Sequence, residues 1–98
     1  MNKDILEIAP ESTKVIFENE RVRVVDLLLK PGEKADTHSH PDFFAYILND
    51  SKIKNTPNEG EASEREFKEG EVMWSEATTH ITENTGTTDT HVLIVELK

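Results

Sequence analysis

Val22-Arg23-Val24-Val25-Asp26-Leu27-Leu28-Leu29-Lys30-Pro31-Gly32 is the stretch that decides the fold class. Its first eight residues form a strand-length run rich in β-branched and aliphatic side chains, and Pro31-Gly32 stops it. In an extended chain Val22, Val24, Asp26 and Leu28 share one face, and Arg23, Val25, Leu27 and Leu29 share the other. Neither face alternates cleanly between apolar and polar, so the strand is expected to be covered on both sides for part of its length.

The same texture recurs outward from this run. Upstream, Val15-Ile16-Phe17 is short and apolar and precedes the turn-like Glu18-Asn19-Glu20. Downstream, Phe43 to Leu48 reads as a strand closed by Asn49-Asp50-Ser51. Lys52 to Thr56 and Ser63 to Lys68 flank Pro57-Asn58-Glu59-Gly60 as a heavily charged hairpin, expected near an edge or facing solvent. Val72-Met73-Trp74, His80 to Glu83 and Thr90 to Leu97 complete the set. The Glu-rich stretch 59–71 lacks the apolar stripe that a helix needs. Strands recurring with turn signals at roughly 8–12-residue spacing predict a single all-β domain, a sandwich or barrel over residues 14–98. Residues 1–13 read as an N-terminal tail or loose edge segment.

Composition narrows the function classes. The 98 residues suffice for one domain, and only 35 % are hydrophobic, so few apolar side chains can be spared for the surface. Cysteine is absent, which excludes disulfides and thiolate ligands. No apolar run reaches the ~20 residues of a membrane span, and Asp4 and Glu7 interrupt any secretory signal, so a cytoplasmic protein is expected. Twenty acidic residues against 11 basic ones give a net charge of −9. That field repels nucleic acid and anionic membranes, so no nucleic-acid or membrane partner is expected. A small-molecule partner remains.

Chemistry concentrates in Gly32-Glu33-Lys34-Ala35-Asp36-Thr37-His38-Ser39-His40. On an extended segment His38 and His40 project from one face about 6–7 Å apart, close enough for both imidazoles to reach one ion. A helix would send them to different faces. A second segment, Gly70-Glu71-Val72-Met73-Trp74-Ser75-Glu76-Ala77-Thr78-Thr79-His80, places a third histidine at the start of a strand, with Asn84 four residues on and facing the same side.

These two segments resemble the two signature motifs of the cupins, the small β-barrel superfamily. The first motif is Gly, five residues, His-x-His, three or four residues, Glu, six residues, Gly; Gly32, His38 and His40 match it. Phe44 stands where the ligand Glu would be, and Ser51 where the second Gly would be. The second motif is Gly, five residues, Pro-x-Gly, two residues, His, three residues, Asn; Gly70, His80 and Asn84 match, with Glu76 and Thr78 replacing Pro and Gly. The resemblance covers residues 15–97. It implies a double-stranded β-helix of two antiparallel sheets, jelly-roll-like, with the site inside one end. The texture of Glu18–His40 and Leu93–Leu97 is also similar to a group of short bacterial and archaeal cupins described as cytoplasmic.

The resemblance implies that His38, His40 and His80 hold one divalent transition metal, Fe, Zn, Ni or Cu, which imidazole alone does not distinguish. With Phe44 in place of Glu the ligands are three neutral nitrogens, leaving open positions and an apolar wall. Asp42 is a possible substitute carboxylate. Tyr46, on the same strand face, is a core ring or else a phenolic acid near the metal. Asn84 fixes backbone near the site, and His91 is a rim histidine or else lines the barrel. Trp74 and Met73 pack structurally.

Three functions follow: a metal-dependent enzyme oxidising or hydrolysing a small organic molecule, a non-catalytic metal or small-ligand module, and a metal-free cupin. Asp42, Tyr46 and His91 are the only sequence candidates for a general acid or base, so their orientation separates the first reading from the second. Exposed sheet edges, and the pairing common among cupins, lead to an expected homodimer.

Overall fold

The computed structural model describes residues 3–98, and the first two residues of the N-terminal segment lie outside that range. The strands are β1 (Thr13–Glu18), β2 (Val22–Leu29), β3 (Lys34–His40), β4 (Phe43–Ile47), β5 (Ser51–Pro57), β6 (Ser63–Phe67), β7 (Val72–Ser75), β8 (Thr78–Asn84) and β9 (Thr90–Leu97). They form two antiparallel sheets, a five-stranded one ordered β1-β2-β9-β4-β7 and a four-stranded one ordered β3-β8-β5-β6. All the strands expected from alternation are present, and residues 63–67 are strand, not helix.

The core lies between the sheets. On β2 the inward parity is Val25, Leu27 and Leu29; on β4 it is Phe43, Ala45 and Ile47; on β9 it is Val92 and Ile94. The facing sheet adds Ala35, Ile53 and Phe67. Two turns built alike lead into the strands that matter. In Lys30–Glu33 the Glu33 amide donates to the Lys30 carbonyl at 2.9 Å and the Glu33 carboxylate accepts from the Lys30 amide at 2.8 Å. In Lys68–Glu71 the same two bonds measure 3.0 and 2.7 Å. Each turn needs a positive φ at its third residue, supplied by Gly32 (86°) and Gly70 (90°).

The N-terminal segment departs from the expected loose tail. Ile5–Ile8 is one helical turn capped by the Asp4 carboxylate, which accepts from the Leu6 amide at 3.0 Å. The Ser39 amide donates to the Lys3 carbonyl at 2.6 Å, and Ile5 is fully buried in the core cluster. A single isoleucine offers no period to read, so its burial was not visible in the sequence.

Candidate metal centre

The β3–β8 pairing places His38 directly opposite His80 and Ser39 opposite Thr79. Within β3 the register shifts between Ala35 and His38, leaving Asp36 and Thr37 without ladder partners. This bulge resets the parity, so that Ala35, His38 and His40 all point inward although their spacing is not uniformly even. It also frees the Asp36 carbonyl, which accepts from His38 Nδ1 at 2.6 Å.

The three imidazoles converge. Ring centroids lie 4.8 Å apart for His38–His40 and His38–His80 and 5.5 Å for His40–His80, each pair edge to face. One nitrogen from each ring lies within 4.8 Å of the others. In His38 and His40 the other ring nitrogen is occupied, which settles the tautomers of those two. His38 Nδ1–H is spent on Asp36, so Nε2 carries the lone pair, and that atom is buried without a hydrogen-bond partner. His40 Nδ1 donates at 2.6 Å to Glu96 Oε2, again leaving Nε2 free. Near His80 Nε2 the closest polar atom is Thr82 Oγ1 at 3.4 Å, and that hydroxyl gives its proton to Asn55 at 3.0 Å. Burial depresses the pKa of His38 to about 4 and that of His80 to about 3, so both are neutral and able to donate a lone pair at physiological pH. An orphaned buried nitrogen beside two convergent imidazoles fits a metal ion, since an unsatisfied buried acceptor is otherwise costly.

Behind His40 stands an ionic chain that the sequence reading missed. Glu96 is 2 % exposed, on the inner face of β9 beyond Val92 and Ile94. Its Oε1 accepts from Arg23 Nε at 2.7 Å, and Arg23 in turn donates to both Asp4 oxygens at 2.7 and 3.0 Å. Hydrogen bonding to Arg23 holds Asp4 below the usual carboxylate range, and the two carboxylates raise Arg23 further. The signal was present in parity. Arg23 shares a face with Val25, Leu27 and Leu29, and Glu96 with Val92 and Ile94, so opposite charges sit on the core faces of two strands.

Several expected lining residues lie elsewhere. Phe44 faces outward, and Phe43 instead stacks 4.8 Å from His40 and lines the cavity. Counting from His40 fails because the chain crosses from one sheet to the other at Pro41-Asp42. Asp42 is exposed and accepts from the Ala77 amide at 2.8 Å. Tyr46 is 41 % exposed on the outer face, neither core ring nor proton donor to the site. His91 pairs with Asp26 at 3.0 Å on that same outer face. Trp74, expected to pack, is 55 % exposed, whereas Met73 packs on the core. Asn84 holds backbone: its Nδ2 donates to Leu29 and Thr88 carbonyls at 2.9 and 2.8 Å, and its Oδ1 accepts from Gly86 at 2.9 Å.

The histidines open onto a cavity of about 40 Å³ walled by Ile5, Leu27, Phe43, Ile53, Val92 and Ile94, with Asn55, Thr82 and Thr90 as its polar points. No Asp, Glu, Lys or Arg lines it among the described residues.

Solved structures with similar folds include cupins. A cupin domain from Bordetella pertussis Tohama I superposes with a TM-score of 0.80 at 23 % identity over 88 % of this chain and 91 % of that one. An RmlC-like cupin with a double-stranded β-helix from Methanocaldococcus jannaschii gives 0.71 at 16 % identity over 87 and 77 %. A conserved protein with a double-stranded β-helix domain from Klebsiella pneumoniae gives 0.67 at 18 % over 95 and 81 %. No family model matches the sequence, and no curated protein matches it. The fold is that of the cupins.

Proposed function

We propose that this protein is a metal-binding cupin whose His38, His40 and His80 hold one divalent transition ion facing a chamber for a small, largely apolar molecule. The observation that carries this reading is the buried, unpartnered Nε2 of His38, within ligand distance of two more imidazoles in a wall without carboxylates. When bound, the ion supplies Lewis-acid or redox chemistry at positions its three neutral ligands leave open. Fe, Zn, Ni and Cu all suit three imidazoles.

The chain's own residues define what surrounds that chemistry. Glu96 and Asp36 orient His40 and His38 through Nδ1, the arrangement that makes imidazole a better ligand. Glu96 also supplies the negative charge missing from the ligand set, one bond further out. Away from the ion, the apolar wall disfavours charged groups, because no charged side chain there offsets their desolvation. At about 40 Å³ the cavity has room for only a few water-sized groups.

Asp42, Tyr46 and His91 point away from the cavity, so besides the three histidines no carboxyl, phenol or imidazole lines it as a general acid or base. This favours a binding or sensing module. A second reading, an oxidase that relies on the ion's own redox chemistry, is favoured over a hydrolase by the same observation. No helix of the described residues is long and apolar enough to cross a membrane. A cytoplasmic setting remains the expectation that accompanies this reading.

Metal analysis of untagged protein grown with added Fe, Zn, Ni or Cu tests the reading. One equivalent of metal, lost in folded His38→Ala and His80→Ala variants, is the expected result. Trace metal in the wild type from every medium overturns it and leaves the metal-free cupin.

A further inference from the structure

Two of the three candidate ligands stand on an edge strand. In the four-stranded sheet β3 pairs with β8 on one side only, and the N-terminal segment holds its other edge. The Ser39 amide donates to the Lys3 carbonyl at 2.6 Å, and Asp4 forms a parallel bridge with Ser39. Ser39 lies between His38 and His40, and a strand bonded on one side opens more readily than one bonded on both. The next residue of the segment reaches the chamber itself. Ile5 is fully buried and, among the wall residues, it alone lies outside the strands. The Asp4 side chain makes a third connection. Both its oxygens accept from Arg23, Arg23 Nε donates to Glu96 Oε1, and Glu96 Oε2 accepts from His40 Nδ1. Lys3, Asp4 and Ile5 thus reach the histidines by main chain, by charge and by packing.

We infer that docking of residues 3–8 and loading of the ion are one coupled equilibrium. The docked segment holds His38 and His40 in ligand geometry, and the bound ion in turn holds the segment down. This coupling presupposes the three-histidine centre proposed above. Undocking removes the acceptor of the Ser39 amide and the second carboxylate of Arg23. Glu96, 2 % exposed, has no hydrogen-bond partner besides Arg23 and His40 among the described residues. An arginine freed on one side is drawn toward water, and a buried carboxylate that loses its cation no longer fixes the imidazole beyond it. Coupling of this kind is reciprocal: the factor by which docking raises the ion's affinity is the factor by which the ion raises docking. The wall at Ile5 therefore opens more often in metal-free protein and closes over the loaded centre.

Zinc affinity, by competition with a chromophoric chelator, and exchange of the Ile8 and Ala9 amides, by nuclear magnetic resonance, test this. Those amides donate to the Asp4 and Ile5 carbonyls within the helical turn, so their exchange reads docking. In the wild type, zinc is expected to slow it severalfold. Asp4→Asn keeps an oxygen to cap the Leu6 amide and removes the charge facing Arg23. It is expected to weaken zinc about threefold, less than the roughly 10–100-fold of a partner that touches the ligand. The slowing of Ile8 and Ala9 by zinc should shrink with it. Because Asp4 acts through Glu96, the substitution should add nothing to the loss in Glu96→Gln. Asp26→Asn, which alters a carboxylate paired with His91 on the outer face, is expected to bind zinc as the wild type does. Unchanged zinc affinity in Asp4→Asn, a loss that adds fully to that of Glu96→Gln, or wild-type exchange that zinc leaves unmoved overturns the coupling and leaves the metal centre standing. A wild type that binds no zinc overturns the three-histidine reading and the coupling with it.

Discussion

Glu96 shows how a residue outside the ligand set governs one inside it. Its carboxylate fixes the His40 tautomer, and Arg23 and Asp4 hold it in place. Partners of this kind typically change metal affinity 10–100-fold. Glu96→Gln is therefore expected to weaken binding by about tenfold in competition with a chromophoric chelator. Unchanged affinity would mean that His40 is positioned by packing alone. Proton linkage gives a second test. Unfolded, His38 titrates near 6.5; folded, burial lowers it to about 4, and His80 to about 3. The unfolded chain thus takes up protons first. The metal-free protein is fully stable above about pH 6.5 and loses stability as pH falls toward 4, by about 3 kcal/mol for His38 alone. Urea unfolding at pH 7 and pH 4.5 in the presence of a chelator should show this loss, and a His38→Gln variant a shallower one. A flat profile would place His38 in contact with water.

The elements show which parts of the structure the sequence carried openly. Period-two alternation and turn residues sufficed for the strands, and His-x-His on an extended segment sufficed for two of the three convergent rings. Local features that break the period were not legible. The bulge at Asp36-Thr37 resets the parity of β3, and the crossing at Pro41-Asp42 exchanges the roles of Phe43 and Phe44. The Glu96–Arg23 pair could have been found by asking which charges lie on core parity. The docking of the N-terminal turn could not, because it rests on Ile5 and a few main-chain bonds. Truncating a fully buried isoleucine typically costs about 2–5 kcal/mol. Ile5→Ala is expected to lower the urea midpoint accordingly and to speed exchange of the Ser39 amide, which Lys3 protects. Slow exchange at Ser39 in that variant would show the segment docked without its anchor.

At the scale of the molecule, two sheets divide the work. The four-stranded sheet carries the three convergent histidines, and the five-stranded sheet carries Phe43 and Glu96 on its inner face and Phe44, Leu93 and Val95 on its outer one. Strand β9 lies at the centre of both tasks, with Glu96 turned in and Leu93 and Val95 turned out. The barrel thus brings together three rings from two strands, and the charges that orient them from two more. X-ray absorption of protein loaded with one equivalent of Zn²⁺ reads that convergence directly. Three imidazole nitrogens at ~2.0–2.1 Å, falling to two in a folded His80→Ala variant, are expected. A shell made of oxygen alone, or one unaltered by the loss of His80, would contradict a three-histidine centre.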